Sequence, residues 1–330
     1  MKVPYLSHSP YPFPQPSTRP FSDSWKFRVW LRRSAVAVLA ALAAGLTLSP
    51  AHASGIGSCP AVVIVGARGT DQNKDTDQYF GPQQYVPDGA VSNGYEGPNL
   101  TGLFRLAESR NPTTMEDVYV LSLDEEQYPA TMGVPTVAET GEEISTLELF
   151  KRVGVILHQA PLGDLIQSAA LKFQDSLETG QRMAPQVVDN FEASTGCAPR
   201  YITAGYSQGA IIGTGLEDHL AAKGRLVGGV YMGNPLARPN VKDTVGTPAR
   251  GGGLLEAVPT NYLPSGASSA KHLDYCLRGD FVCDLTVAST VDAINTRMKV
   301  HGSYFQGEAS ADDARVADEL AGWIKEAKAY

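Results

Sequence analysis

The sequence predicts an α/β domain built on a mostly parallel central sheet, with helices covering both faces in three layers. Two observations carry this. Four short, continuous runs of apolar and β-branched residues recur along the chain, the pattern of strands buried on both faces. Segments with helical spacing separate them, as connections between parallel strands require. No internal repeat is visible.

The chain opens on a leader of different composition. Residues Met1 to Pro20 are rich in proline and serine without an apolar period. Lys26, Arg28, Arg32 and Arg33 precede an apolar stretch of Ala, Val and Leu from Ser34 to Leu48, and Ala51-His52-Ala53 fits a small-residue cleavage site. This pattern predicts an export segment over residues 1–53 and a single domain over 54–330, secreted or held in the cell envelope. The apolar stretch is short for a bilayer span, which needs about 20 residues. An uncleaved N-terminal anchor is the alternative, and Arg32-Arg33 matches twin-arginine export only weakly.

The first predicted strand is Ala61–Val65, ending at Gly66, and the second is Asp117–Leu123. Between them Asp71–Asn111 is rich in Gly, Pro, Asn, Tyr and Gln and reads as a loop elaboration. Its Asn99-Leu100-Thr101 fits a glycosylation acceptor, a motif too short to weigh much. A second elaboration, Met132–Asp164, carries one extra helix around Ile144–Leu157. Leu171–Ala193 follows as a helix that places Leu177, Ala184, Val187, Val188 and Phe191 on one face, with Gly196 near its end. Tyr201–Ala204 is the third strand, Gln208–Ala222 a helix, and Leu226–Met232 the fourth strand. Val245–Ala270, with Gly251-Gly252-Gly253, is a third long loop of the kind that often forms a lid or binding wall. The last helix has Ser310 as N-cap, Asp312 and Asp313 in its first turn, and Val316, Leu320, Trp323 and Ile324 on one face.

Charge and cysteine content narrow the function classes. Without the leader, about 21 basic and 34 acidic side chains remain, a balance near −13. Such a surface repels polyanions, which argues against nucleic acid and against charge-driven binding to anionic lipid. All four cysteines, Cys59, Cys197, Cys276 and Cys283, lie beyond the leader. In an exported chain an even count reads as two disulfides with three possible pairings, and free buried thiols are the alternative.

The chemistry concentrates at Gly205-Tyr206-Ser207-Gln208-Gly209. With 33 glycines in 330 residues, a Gly-x-Ser-x-Gly match alone decides little, and its context has to. Here an apolar strand precedes it and a helix follows. Two glycines permit the tight strand-to-helix turn that holds a nucleophilic serine in strained geometry at a helix N-terminus. The serine then needs a base. Of six histidines, His8 and His52 belong to the leader. His219 lies on the helix running away from the turn, and His158 precedes the serine, against the Ser, acid, His order of α/β-hydrolases. Of His272 and His301, only His301 leaves room for a strand end and an acid before it. It is expected in a short polar loop, Lys299–Ser303. Asp280, between Cys276 and Cys283, is the candidate acid, with Asp274 and Asp284 as rivals. A disulfide across so small a loop would constrain the backbone by roughly 2.5 kcal/mol. One oxyanion donor is expected from the backbone N–H of Gln208, the other from the loop after the first strand, where Thr70 stands. Arg68 in that loop is expected in a structural ion pair.

These features combine. Gly205-Tyr206-Ser207-Gln208-Gly209 after a strand, Ala67-Arg68-Gly69-Thr70 after the first strand, Tyr128-Pro129-Ala130 after the second, and a Cys-x-x-Gly-Asp-x-Val-Cys loop before a late histidine resemble the cutinase family. The actinobacterial cutinase-like envelope esterases are closer in pattern than the fungal enzymes, and the matches spread over most of residues 54–330. The resemblance implies an α/β-hydrolase fold, a triad of Ser207, Asp280 and His301, and an oxyanion hole at Thr70 and Gln208. It also implies the pairings Cys59–Cys197 and Cys276–Cys283. The chain departs from that compact, lidless pattern through its three long insertions.

The expected activity is hydrolysis of carboxylic esters through an acyl-enzyme on Ser207, without metal or organic cofactor. Lipid or glycolipid esters of the cell envelope are the expected substrates, and no stable protein partner is expected. An acyltransferase using the same acyl-enzyme, a polysaccharide acetylesterase and a non-catalytic lipid or glycan carrier are the alternatives.

Overall fold

The computed structural model describes residues 58–76, 78–132, 162–239, 243–246, 251–256, 270–296 and 298–329, all within the unit Ala53–Tyr330. Its centre is a six-stranded sheet: β1 (Val62–Ala67), β2 (Val118–Ser122), β3 (Arg200–Tyr206), β4 (Leu226–Met232), β5 (Thr244–Gly246) and β6 (Lys271–Cys276). The strand order is β2-β1-β3-β4-β6-β5 and every pairing is parallel. All strands therefore end on the same edge, and the loops leaving them converge there. This is an α/β-hydrolase architecture.

Alternation along the strands builds two cores, because successive side chains point to opposite faces. Val62, Ile64, Val118, Val120, Ile202 and Val230 pack on one face against α1 (Gly97–Arg110) and the C-terminal helix α6 (Ala311–Lys328). Val63, Val65, Tyr119 and Tyr201 pack on the other against α2 (Leu162–Thr195) and α3 (Gln208–Ala222). Two shorter helices, α4 (Val287–Thr296) and α5 (Lys299–Gly302), link β6 to α6. The face of α2 read from the sequence is buried as a set, and Gly196 ends that helix at φ +70°. Ser310 caps α6 through a reciprocal box with Asp313.

Several expectations change. The segment 71–111 is not wholly loop, since α1 occupies its last third. Leu100, Leu103, Phe104 and Ala107 recur at helical spacing and are buried, but Gly97, Pro98, Asn99, Thr101 and Gly102 are poor helix formers that hide the pattern. Asn99 is 1% exposed with its amide in hydrogen bonds, so it is no glycosylation acceptor in the folded protein. β6 is not evident from the sequence either. Its residues alternate polar and apolar, because His272 and Asp274 face a buried polar cluster while Leu273 and Tyr275 join the core. The helix α2 begins at Leu162, nine residues before the start expected at Leu171. The helix expected at Ile144–Leu157 lies outside the described residues. Among these residues no helix is long and apolar enough to cross a membrane.

Candidate active site

The turn between β3 and α3 fixes the serine. Ser207 adopts φ +54° and ψ −122°, a strained conformation for a residue with a side chain. Its N–H donates to the Met232 carbonyl at the end of β4, at 2.8 Å, which anchors the turn to the sheet. The flanking glycines are required by space. A Cβ on Gly205 would stand 2.5 Å from the Gly209 carbonyl oxygen, and one on Gly209 would stand 2.0 Å from that of Ala67. Helix α3 thus starts hard against the end of β1. The Ser207 hydroxyl sits at its N-terminus, where the first amides have no intrahelical carbonyl to bond.

His301 reaches that hydroxyl from α5, a single helical turn in place of the expected loop. Nε2 lies 2.8 Å from Ser207 Oγ, and Nδ1 lies 3.0 and 2.9 Å from Asp280 Oδ1 and Oδ2. A carboxylate only accepts, so Nδ1 carries the proton and Nε2 is left to accept from the serine. Met298, at φ +64°, turns the chain into α5. The imidazole is largely enclosed, with 13% of the side chain exposed, rather than freely accessible. Tyr206 lies beside it at 5.2 Å between ring centroids, and its hydroxyl donates to the His301 carbonyl at 2.7 Å. Gly233, at φ +53°, closes the other side: a Cβ there would lie 2.8 Å from His301 Cε1 and 3.1 Å from Asp280 Oδ2.

Asp280 is fully buried inside the loop closed by Cys276–Cys283. Its Oδ1 accepts from the Val282 N–H at 3.0 Å, and its Oδ2 from the Tyr304 hydroxyl at 2.6 Å. The Tyr304 oxygen in turn accepts from the Leu277 N–H at 3.0 Å. Burial, with Asp280 alongside, pushes the Tyr304 phenol well above its ordinary range, so it remains a donor. Cys283 Sγ lies 3.4 Å from Oδ2, a packing contact because a disulfide sulfur has no proton to give. The second disulfide joins Cys59 to Cys197.

Of the two residues expected at the oxyanion hole, Gln208 directly follows the serine, and Thr70 lies in the loop after β1, whose Ala67 and Arg68 carbonyls stand against Gly209. Gln208 is the first residue of α3. Its buried side chain faces away from the chemistry, with Oε1 accepting from Tyr128 Oη at 2.9 Å and Ser176 Oγ at 3.2 Å. Only its backbone N–H is offered at the turn. Thr70 follows Gly69, whose position against the Tyr206 ring leaves no room for a Cβ. Among the described residues Arg68 makes no ion pair, in place of the expected one. It is buried and donates to Asn73 Oδ1 and to the carbonyls of Leu123 and Tyr128, so neutral oxygens tie the loop after β1 to the loop after β2. Burial lowers its pKa.

The rival residues lie elsewhere. Asp274 bonds Asn234 Nδ2 at 2.8 Å and His272 Nε2 at 3.0 Å, and Glu217 stands 3.8 Å from His272 Nδ1. Asp284 accepts from the Gly251 N–H at 2.9 Å. His219 pairs with Asp189 on the helical surface. His158 lies outside the described residues. Sequence reasoning misses Tyr206, Gly233 and Tyr304. For Tyr304 there is a usable signal, since three residues after His301 returns to the same side of a helical turn.

No family model matches the chain, and no curated protein does. Among solved structures it is similar to a cutinase-like protein from Cryptococcus sp., at 19% identity and a TM-score of 0.33, covering 77% of this chain and 98% of that one. It is similar also to lysin B from mycobacteriophage D29, at 17% identity and a TM-score of 0.35, covering 82% and 90%. A third is the Trichoderma reesei cutinase in complex with a C11Y4 phosphonate inhibitor, at 15% identity and a TM-score of 0.35, covering 82% and 78%.

Proposed function

We propose that the protein is an exported serine esterase that cleaves carboxylic esters of lipids or glycolipids through an acyl-enzyme on Ser207. The observation that carries the reading is the unbroken chain of hydrogen bonds from Ser207 Oγ to His301 Nε2, and from Nδ1 to a buried carboxylate. His301 takes the hydroxyl proton as Oγ attacks the ester carbonyl, and Asp280 stabilises the imidazolium that forms. The backbone N–H groups of Thr70 and Gln208 stabilise the oxyanion, each such donor contributing on the order of a hundredfold or more in rate. The imidazolium then protonates the leaving alkoxide, and water activated by the same imidazole releases the acid.

The choice of lipid esters rests on three features. The leader reads as an export signal, and both disulfides are compatible with an oxidising destination. The acidic balance favours a neutral substrate. Leu285, Val287, Val291 and Met298, all in the segment between Asp280 and His301, are exposed, with Val287 at 84%. They give the segment that joins two of the three reacting side chains an exposed apolar surface suited to acyl chains.

Labelling with a fluorophosphonate, read by intact mass, tests the mechanism. One adduct on the wild type and none on Ser207→Ala is the expected result. A folded wild type that takes no adduct would overturn it and revive the non-catalytic carrier. Purified protein that cleaves soluble short esters but no envelope lipid would remove the substrate assignment alone.

A further inference from the structure

Two carboxamides lie buried between the loop after β1 and the turn that carries His301, and the chemistry above uses neither. Gln72 Oε1 accepts from the Gly69 N–H at 3.0 Å, and its Nε2 donates to Asn99 Oδ1 at 2.7 Å. Asn99 Nδ2 then donates to the Tyr304 carbonyl at 2.9 Å and the Gly302 carbonyl at 3.2 Å. The ends dictate the direction. A backbone N–H can only donate and a carbonyl only accept, so neither amide can flip without breaking the chain. Gln72 is 7% exposed and Asn99 1%, so water is a poor substitute for any lost link.

The surrounding backbone makes room for this chain. Gly97, the first residue of α1, has φ +69°, and a Cβ there would lie 2.4 Å from Gln72 Oε1. On the opposite side Gly69 lies against the Tyr206 ring, whose hydroxyl bonds the His301 carbonyl. The residue before Thr70 is therefore held between two side chains that lead on to residues 301–304, Tyr206 directly and Gln72 through Asn99.

From this geometry we infer, resting on the esterase reading, that Gln72 and Asn99 are positioning residues that fix the oxyanion loop and the His301 turn at one separation. The reaction needs both at once. When Oγ has attacked, the oxyanion must meet the Thr70 amide while the leaving oxygen meets Nε2, and both belong to one tetrahedral centre. A loop free to drift from the imidazole would satisfy one and lose the other. A role confined to filling a polar gap beside α1 predicts something different: lower stability with little change in turnover.

The test is steady-state hydrolysis of p-nitrophenyl butyrate by Gln72→Met, Asn99→Leu and the double variant, with thermal melting to verify the fold. Each single change is expected to lower kcat by about tenfold to a hundredfold while KM stays within about twofold. Because either cut severs the same chain, the double variant should lose no more than about threefold beyond the worse single. A folded single variant within about threefold of wild-type kcat, or losses that multiply in the double, would overturn the relay. Should Asn99→Leu fail to fold, Gln72→Met decides alone by the same kcat threshold, since it exchanges one unbranched side chain for another of similar length. Phosphonate labelling separates the two levels. A wild type that labels while Gln72→Met turns over normally removes only the relay, and a wild type that does not label removes the esterase reading and the relay together.

Discussion

Gly233→Ala isolates how closely the imidazole must be held. The added Cβ would lie 2.8 Å from His301 Cε1 and 3.1 Å from both His301 Nδ1 and Asp280 Oδ2. Ordinary carbon contacts begin near 3.5 Å, so the ring must retreat by about 0.7 Å. That retreat would stretch the 2.8 Å bond to Ser207 Oγ to roughly 3.5 Å, the limit of a useful hydrogen bond. Misplacement of about 1 Å at a reacting group costs on the order of a hundredfold, or about 2.7 kcal/mol of barrier. The left-handed backbone adds a separate stability cost of about 1 kcal/mol. We therefore expect kcat/KM on p-nitrophenyl butyrate to fall about a hundredfold with the rate of phosphonate labelling falling in step. Gly224→Ala is the control: Gly224 has φ +67° and no atom within 4 Å of where a Cβ would stand, so the variant should lose the backbone term and keep its activity. If Gly233→Ala melts no lower than Gly224→Ala and retains activity within about threefold, the packing argument is refuted.

Tyr304→Phe removes the donor to Asp280 Oδ2 and the acceptor for Leu277 N–H, and should lower unfolding free energy by about 2 kcal/mol in urea titration and kcat by about tenfold at unchanged KM. An unchanged kcat would separate Tyr304 from the chemistry. His272 supplies the pH dependence. Burial opposes its charge, but the Asp274 hydrogen bond and the Glu217 carboxylate prevail and raise its pKa to about 10. A raised pKa stabilises the fold fully below the ordinary value of about 6.5, and that contribution is lost as pH rises through about 10. His272→Gln should thus cost roughly 2 kcal/mol at pH 6 and little above pH 10.5; a gap that widens with pH would contradict the sign. Replacing Cys276 and Cys283 together by Ser should release the loop around Asp280, lowering stability by roughly 2.5 kcal/mol and kcat more steeply than KM. Wild-type turnover in that variant would show that the loop holds Asp280 without its bridge.

The sheet is legible where its strands are apolar on both faces. Val62–Ala67 and Leu226–Met232 can hardly be read otherwise. It is illegible at Lys271–Cys276, where one face meets Glu217, Tyr231 and Asn234 instead of a helix of leucines, and alternation looks like a loop. The order of Ser207, Asp280 and His301 along the chain, together with the disulfide loop, points to the three side chains that the fold brings within hydrogen-bond reach. The groups that support them leave no such trace. Gln72 is 27 residues from Asn99, and Asn99 is 205 from Tyr304, so their adjacency exists only once β1, α1 and α5 are packed. The charge of Arg68 suggests a carboxylate partner, whereas the fold satisfies its guanidinium with carbonyls that no local pattern announces.

The bridge between Cys59 and Cys197 spans 138 positions of sequence and closes ahead of Ser207. Everything from β1 to the end of α2 is therefore a covalent ring, while Ser207, Asp280 and His301 all lie on the tail that leaves it. A protease that cuts once anywhere inside the ring opens it without releasing a fragment. The nicked chain would migrate as one species until reduced, and as two afterwards. The ring also takes about 5 kcal/mol of chain entropy out of the unfolded state, so the halves remain each other's nearest neighbours when they refold.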